Sequence, residues 1–472
     1  MLDITGTYTD QYELAMGQAY FLSGRKDEPA VFDYFFRKNP FDGGYTIFAG
    51  LPDLLSILED LKFDERDLEF LEKQSFHPDY IAFLKSFRFG GSVHAPREGD
   101  LVFPTRPVLR VEGNLLETQL VETLLLNIIN FQSLIATKAS RMRLVAGDGV
   151  LIDFGLRRAQ GLGGYHASRA AVIGGFDATS NSRAARDYGL RASGTMAHSY
   201  VQSEESEIEA FRSFAAARPD DCVLLVDTYS TLKSGVPNAI TVGKEMEESG
   251  HRLKGIRLDS GDLAYLARKS RAMLDEAGLH YVKIAASNQL DEYVIRSLKS
   301  QKAPIDVFGV GTSLVTGQPD AALDGVYKLA MSGGDPVIKL SESVSKTTLP
   351  GRKQVWRAMN DDGAFLGADV VGFDDEDDIP EMHHPFSPRQ SFTIAPHGIE
   401  PLLHRVMEEG RMVYDPPSLT STAEYARERL AMLPPEYKRF ENPHLYKVGI
   451  SGRLKELRDS LIAGHRESAG SS

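Results

Sequence analysis

VLLVDTYS at 223–230, GIRLDSGD at 255–262, VKIAASN at 282–288 and IDVFGVGT at 305–312 decide the fold. Each is a short apolar run of strand length that closes on polar residues or glycine, and the runs recur about every 25 residues. Between them lie stretches with helical periodicity, such as Leu263 to Gly278. Alternation of this kind means repeated βα units and a mainly parallel sheet. GVYKLA at 325–330 follows closely on the fourth run, and IDFGLRRAQG at 152–161 and LRASGTMAHSY at 190–200 are two earlier strand-to-loop candidates. That count suits a barrel better than an open sheet, so the expected class is α/β with an α/β barrel at its centre.

The flanks read differently. Up to about residue 125 there is an amphipathic segment after Thr9, then extended pieces such as YTIFAGLP, LVFP and PVLRVEG around prolines. After about Lys339 the βα rhythm is lost again, through TLPGRKQVWR and an acidic loop to a polar tail from about 466. The expected organisation is an α+β domain over 1–125, a barrel over 126–335, and a C-terminal segment over 336–472 that packs on the N-terminal domain.

Composition narrows the function. With 472 residues, 42% of them apolar and 25% charged, the chain has ordinary globular character and length for two or three cores. The longest apolar run, LLLNIINF at 124–131, is far short of the roughly 18 residues a membrane helix needs. The start, MLDITGTYTDQYE, is acidic where a signal peptide is basic, which leads to a cytoplasmic expectation. Cys222 is the single cysteine and precedes an apolar run, as a buried structural thiol would. A net charge of −13 repels polyanions and argues against nucleic acid, so any anionic substrate must be small and locally clamped.

In parallel βα architectures the chemistry collects at the carboxyl ends of the strands. Here those ends carry Asp227 and Thr228; Asp259, Ser260 and Asp262; Ser287 and Asn288; and Gly309, Gly311, Thr312 and Ser313. GVGTS offers amides and hydroxyls for a phosphate, although an ordinary tight βα turn has the same composition. Arg257 and Asp259 share a face by the two-residue strand period, which places a cation for an anionic group beside a carboxylate for hydroxyls. A buried ion pair closing the sheet is the competing reading. Phe154 and Arg157 frame a glycine, so a ring face and a guanidinium can flank one flat anionic ring; Arg158 is expected to point elsewhere, into solvent. His198 sits in a small-residue loop, SGTMAHS, in which Ser193, Gly194 and Thr195 can supply further amides and hydroxyls. A lone histidine is more often structural than catalytic. The acidic run Asp374 to Asp378 with His383 and His384 reads as a solvated loop rather than a metal site. Lys283 stands where Schiff-base lysines occur in barrel aldolases, with nothing else in support.

Taken together, TDQYELAMGQAYF, FDYFFRKNPFDGGYTIFAGLP, DFGLRRAQG, GGFDATSN, SGTMAHS, RLDSGD, FGVGT and TLPGRKQVWR resemble the nicotinate phosphoribosyltransferase family, in one order from Thr9 to Arg357. The resemblance implies an irregular α/β barrel of the type II phosphoribosyltransferases, completed by a domain built from N- and C-terminal segments, in a homodimer with shared active sites. It implies joining of nicotinate to 5-phosphoribosyl 1-pyrophosphate with Mg²⁺ and coupled ATP hydrolysis, in NAD salvage. By motif, Phe154 would stack on the pyridine ring, and Tyr12 of the neighbouring subunit would cover its other face. Arg157 and Arg257 would hold anionic groups, Asp259 the ribose hydroxyls, and Asp177 would lie near base or ribose. Ser287, Asn288, Gly311 and Thr312 would hold the 5-phosphate, and His198 would be the residue that ATP phosphorylates. GLGGYHAS at 161–168 departs from family habit. A nicotinamide-specific relative, a barrel aldolase using Lys283, and a non-catalytic nucleotide sensor are the alternatives.

Overall fold

The computed structural model describes residues 4–340, 347–387, 390–394 and 398–470, the last four without their side chains. The chain forms two compact units, one from residues 1–134 with 322–472 and one from 135–321.

The first unit is α+β and is assembled from both ends of the chain. Its seven-stranded sheet is antiparallel throughout, with Pro29–Phe36 between Leu109–Asn114 and Gly325–Ser332. Phe32 and Tyr327 stack across it at 4.7 Å. GVYKLA therefore belongs to this sheet and not to the barrel that was expected to run to 335. The physical reason is the connection: between Val310 and Gly325 only the four-residue helix Thr312–Val315 forms, too short to pack back on the parallel sheet as a crossover helix, and the strand pairs antiparallel with Pro29–Phe36 instead. A second, six-stranded sheet gathers Lys353–Met359, Phe365–Phe373 and Lys447–Ile450 from the C-terminal segment. LLLNIINF lies in the helix Glu122–Ala146, with Leu124, Leu125, Ile128 and Ile129 buried, so its apolar run is core. Within the acidic run, Glu376 is buried and accepts from Phe373 N and Ser451 Oγ, while Asp375 pairs with Arg453. The loop is tied down rather than merely solvated, because its central carboxylate caps neighbouring backbone.

The second unit holds six parallel strands: β1 (Val150–Asp153), β2 (Ala178–Thr179), β3 (Val223–Leu225), β4 (Gly255–Leu258), β5 (Lys283–Ala286) and β6 (Val307–Val310). Their order is β2-β1-β6-β5-β4-β3. Helices separate successive strands, among them Gly163–Ile173, Val236–Glu248, Leu263–Glu276 and Glu292–Ser300. The βα alternation is thus borne out, and the fold is α/β with a barrel-like parallel core and an α+β unit from both chain ends. The core is irregular: no ladder joins β2 to β3 among the described residues. LRASGTMAHSY is not a strand. Only Ala192 makes an isolated bridge, to Thr179, and the strand at this place is the pair Ala178–Thr179 inside GGFDATSN. Small residues and glycine leave the 190–200 segment little side chain to bury, so no ladder extends along it.

Register sets the site. Asp153 pairs with Val310 and with Thr179, Leu258 with Ala286, and Leu225 with Arg257, so the carboxyl ends of the strands meet along one edge. Lys138 and Arg141 both bond the fully buried Glu292, fastening the helix Glu122–Ala146 to the helix that follows β5. Cys222 is buried, which pushes its thiol up to about 12 and makes it a poor nucleophile.

Candidate active site

A cavity of about 740 Å³ opens along that edge. Of the residues singled out from sequence, the cavity brings together Phe154, Arg157, Gly194, Thr195, His198, Arg257, Asp259, Ser287, Asn288, Gly309, Gly311 and Thr312.

From β4, Arg257 donates through Nη1 to Thr195 Oγ1 at 2.5 Å, and its Nη2 lies 3.9 Å from Asp259 Oδ2. Burial lowers this guanidinium from its ordinary value while Asp259 and Asp227 act against it, and it stays a cation. Its Nε–H is buried without an acceptor. Asp259 Oδ1 accepts a short bond from Ser287 Oγ. Behind them, Asp227 Oδ2 accepts from Asp259 N at 2.8 Å and from Ser260 Oγ at 2.6 Å, which fixes the turn after β4, and its Oδ1 is buried with no partner.

His198 opens the short helix His198–Ser203. Its Nδ1 is 3.1 Å from Thr228 Oγ1, and its Nε2 is 3.7 Å from Asp259 Oδ2. The histidine is thus held between residues from the ends of β3 and β4, which separates it from an ordinary core histidine. After β5, Asn288 and Gln289 take the left-handed conformation, φ +83° and +49°, turning their backbone toward the cavity.

From β1, Phe154 lies against Gly309, where a Cβ would overlap its ring. Gly309 therefore makes room for the aromatic face, a steric duty rather than the anion nest read from GVGTS. Leu156–Arg158 is a 3₁₀ turn. Successive side chains in such a turn diverge by about 120° instead of alternating by about 180° as in a strand. Arg158 consequently lines the cavity beside Arg157, where solvent was expected. Neither side chain makes an ion pair among the described residues. A Cβ on Gly164 would press on Leu156 at 2.8 Å, so the glycines of GLGGYHAS allow this turn to pack.

Three expected residues are not in the cavity lining. Asp177 precedes β2 and accepts from Arg143 and from Leu151 N, at the amino end of the strands, so strand direction carries it away from the site. Ser193 donates its backbone N–H to Thr179 O, which uses it in the bridge instead. Tyr12 is on the helix Gln11–Leu22 of the other unit and is 48% exposed. Lys283 begins β5 at the amino end and pairs with Asp306 at 3.0 Å, which removes the aldolase reading by position. Sequence reasoning placed Asp227 and Thr228 at a strand end but gave them no role, and it had no signal for Ser180, Met196 and Gln289.

Comparison with known proteins gives the family and the fold. Residues 7–130 match the nicotinate phosphoribosyltransferase N-terminal domain, 149–386 the nicotinate phosphoribosyltransferase family and 352–458 its C-terminal domain. The nicotinate phosphoribosyltransferase of Bacillus subtilis (strain 168) is 43% identical over 461 residues, covering 95% of this chain and 93% of that one. That of Bos taurus is 36% identical over 518 residues, covering 96% of each. The crystal structure of human nicotinic acid phosphoribosyltransferase superposes with a TM-score of 0.87 at 32% identity, over 96% of this chain and 99% of that one. A nicotinate-nucleotide pyrophosphorylase structure from Pyrococcus furiosus shares the fold, with a TM-score of 0.71 at 23% identity, over 90% of this chain and 95% of that one. With cation, carboxylate, histidine and ring face disposed along one strand-end edge and matches that span the chain, this protein belongs to the nicotinate phosphoribosyltransferase family.

Proposed function

We propose that the enzyme transfers the 5-phosphoribosyl group of 5-phosphoribosyl 1-pyrophosphate to nicotinate, coupled to ATP through phosphorylation of His198. The observation that carries this reading is the charge of the cavity: Arg157, Arg158 and Arg257 line it with Asp259 as the one carboxylate, in a chain of net charge −13. Such a cavity selects small anions.

The pyridine ring stacks on Phe154 and its carboxylate meets Arg157, with Arg158 alongside. Asp259 takes ribose hydroxyls, and Ser287, Asn288, Gly311 and Thr312 take the 5-phosphate. The ring nitrogen attacks the ribose C1 as the C1–O bond to pyrophosphate breaks, and Arg257 offsets the charge that develops on the leaving group. In the ATP-dependent step a His198 nitrogen attacks the γ-phosphorus and the bond to ADP breaks. His198 presents Nδ1 to Thr228 and Nε2 to Asp259, so these two partners orient the ring for that attack. Asp227 and Asp259 would hold Mg²⁺, as the unpartnered, buried Asp227 Oδ1 supports, and the ion would supply charge neutralisation for pyrophosphate.

The exposed Leu156 and Tyr229, on the loops after β1 and β3, support a homodimer in which a second copy covers this edge and brings Tyr12 to the base. A lone buried thiol and the absence, among the described residues, of any helix able to cross a membrane are in keeping with a cytoplasmic place in NAD salvage.

Pyrophosphate release tests the reading directly. With phosphoribosyl pyrophosphate, Mg²⁺ and ATP, release is expected with nicotinate and not with nicotinamide or quinolinate; release with nicotinamide alone overturns the base assignment. Arg157→Ala is expected to raise the nicotinate KM by about 10- to 100-fold, the worth of a charged hydrogen bond, and the sugar KM by no more than about twofold. The reverse pattern would reassign Arg157 to phosphate.

A further inference from the structure

Next to Phe154 lies a polar node whose residues do not line the cavity. Asp153, at the end of β1, is 1% exposed, and no basic side chain pairs with it among the described residues. Its Oδ1 accepts the Gly155 N–H at 2.8 Å, a local turn in which the side chain holds the backbone two residues on. Its Oδ2 accepts Ser168 Oγ, from the helix Gly163–Ile173, and Thr179 Oγ1, from the end of β2, both at 2.8 Å. Asn181 closes the node: its side-chain amide reaches Gly164 O and Ser168 Oγ at 3.2 Å, and its N–H donates to Thr179 Oγ1 at 3.0 Å.

The position of this node is what matters. Phe154 N donates to Val310 O at 2.7 Å, so the backbone of the stacking residue is pinned by β6 on one side and by Asp153 on the other. The chain then turns directly into Leu156–Arg158. A buried carboxylate met only by neutral donors is costly unless each lone pair is used, and here both oxygens are taken by three separate segments. The Asp153 node therefore fixes the exit direction of the loop bearing the ring face and the carboxylate-binding arginine.

We propose that Asp153 is a positioning residue for base selection, acting through Gly155, Ser168 and Thr179 on the placement of Phe154 and Arg157. This rests on the nicotinate reading of the pocket. The phosphate-binding and ribose-binding residues come from β4, β5 and β6, outside the node, so the effect is confined to the base.

The test compares Asp153→Ala, Asp153→Asn and the pair Ser168→Ala with Thr179→Val in steady-state kinetics and thermal melts on the full chain. Asp153→Ala and the pair are expected to raise the nicotinate KM by about tenfold or more, with the phosphoribosyl pyrophosphate KM within about twofold, as a sub-ångström misplacement of a binding group does. Asp153→Asn is expected to restore most of the loss, because its Oδ1 still accepts from Gly155 N–H and its amide donates to hydroxyls that can reverse. An unchanged nicotinate KM, or both KM values rising together with a lowered Tm, overturns the proposal. Should Asp153→Ala not fold, the Ser168/Thr179 pair decides by the same split. Wild-type protein runs in parallel: if it releases no pyrophosphate with nicotinate, the pocket reading fails first and the proposal falls with it.

Discussion

Replacing His198 by alanine is expected to give an enzyme that still transfers phosphoribosyl groups slowly and that ATP no longer accelerates. The imidazole is held from two strands, by Thr228 on Nδ1 and beside Asp259 on Nε2, and it stands in the cavity. The stacking face, the arginines and the phosphate loop do not depend on it, so ground-state binding survives. With ATP present, kcat/KM should fall by on the order of 10²-fold or more, the usual range for a lost proton-transfer or nucleophilic group. Without ATP it should change by about threefold at most, since the remaining cavity is intact. ATPase assays and acid-labile ³²P incorporation read the same step. Retained ATP stimulation in His198→Ala would remove the phosphohistidine role and leave the transferase reading standing.

Arg357→Ala is expected to be the most damaging substitution to stability. TLPGRKQVWR carries its residues on a strand, and the two-residue period turns Lys353, Val355 and Arg357 to one face. Lys353 pairs with Asp33 at 2.8 Å, and Arg357 is fully buried, with Nη1 2.7 Å from Asp100 and Nε 3.1 Å from Asp369. The Arg357 guanidinium also donates to Leu101 O at 2.6 Å and lies over the ring of Phe365 at 4.5 Å. Arg429 on Asp100 and Arg106 on Asp369 complete the network. Removing the central cation leaves two buried carboxylates with one arginine each, a loss of about 3–5 kcal/mol. Burial raises the Asp100 carboxyl, but Arg357 and Arg429 hold it below its ordinary value overall. Stability from such a group is present above the unfolded carboxylate pKa and is lost as pH falls through the folded one. The deficit of Arg357→Ala should therefore shrink toward acid pH. Urea titration at neutral pH checks this, and a loss below about 1 kcal/mol would mean that the network is no stronger than a surface pair.

The motif near residue 350 is thus structural in this unit, its Lys353 and Arg357 binding carboxylates of the same unit. That distinction was not available from the string TLPGRKQVWR, since a buried ion network and a ligand clamp use the same residue types.

What the sequence by itself determined is local and directional. The apolar runs at Val223, Gly255, Val282 and Ile305 are strands because nothing else accommodates so short a run between helical periods. Once they are parallel, their polar exits must share an edge, which is why Arg257, Asp259, Ser287, Asn288, Gly311 and Thr312 were legible as one site. Only the tertiary structure decided what depends on partners far along the chain. Gly325–Ser332 joined Pro29–Phe36 rather than the barrel, Asp177 fell at the amino end of its strand, and Ser193 spent its N–H on a bridge to Thr179. Arg158 entered the cavity because a 3₁₀ turn replaced an extended exit. Asp153 gained its place from Ser168 and Thr179, 15 and 26 residues away. Strand and helix periods are written in neighbouring residues, whereas register, turn type and the partners of a buried carboxylate are set by which segments meet on folding.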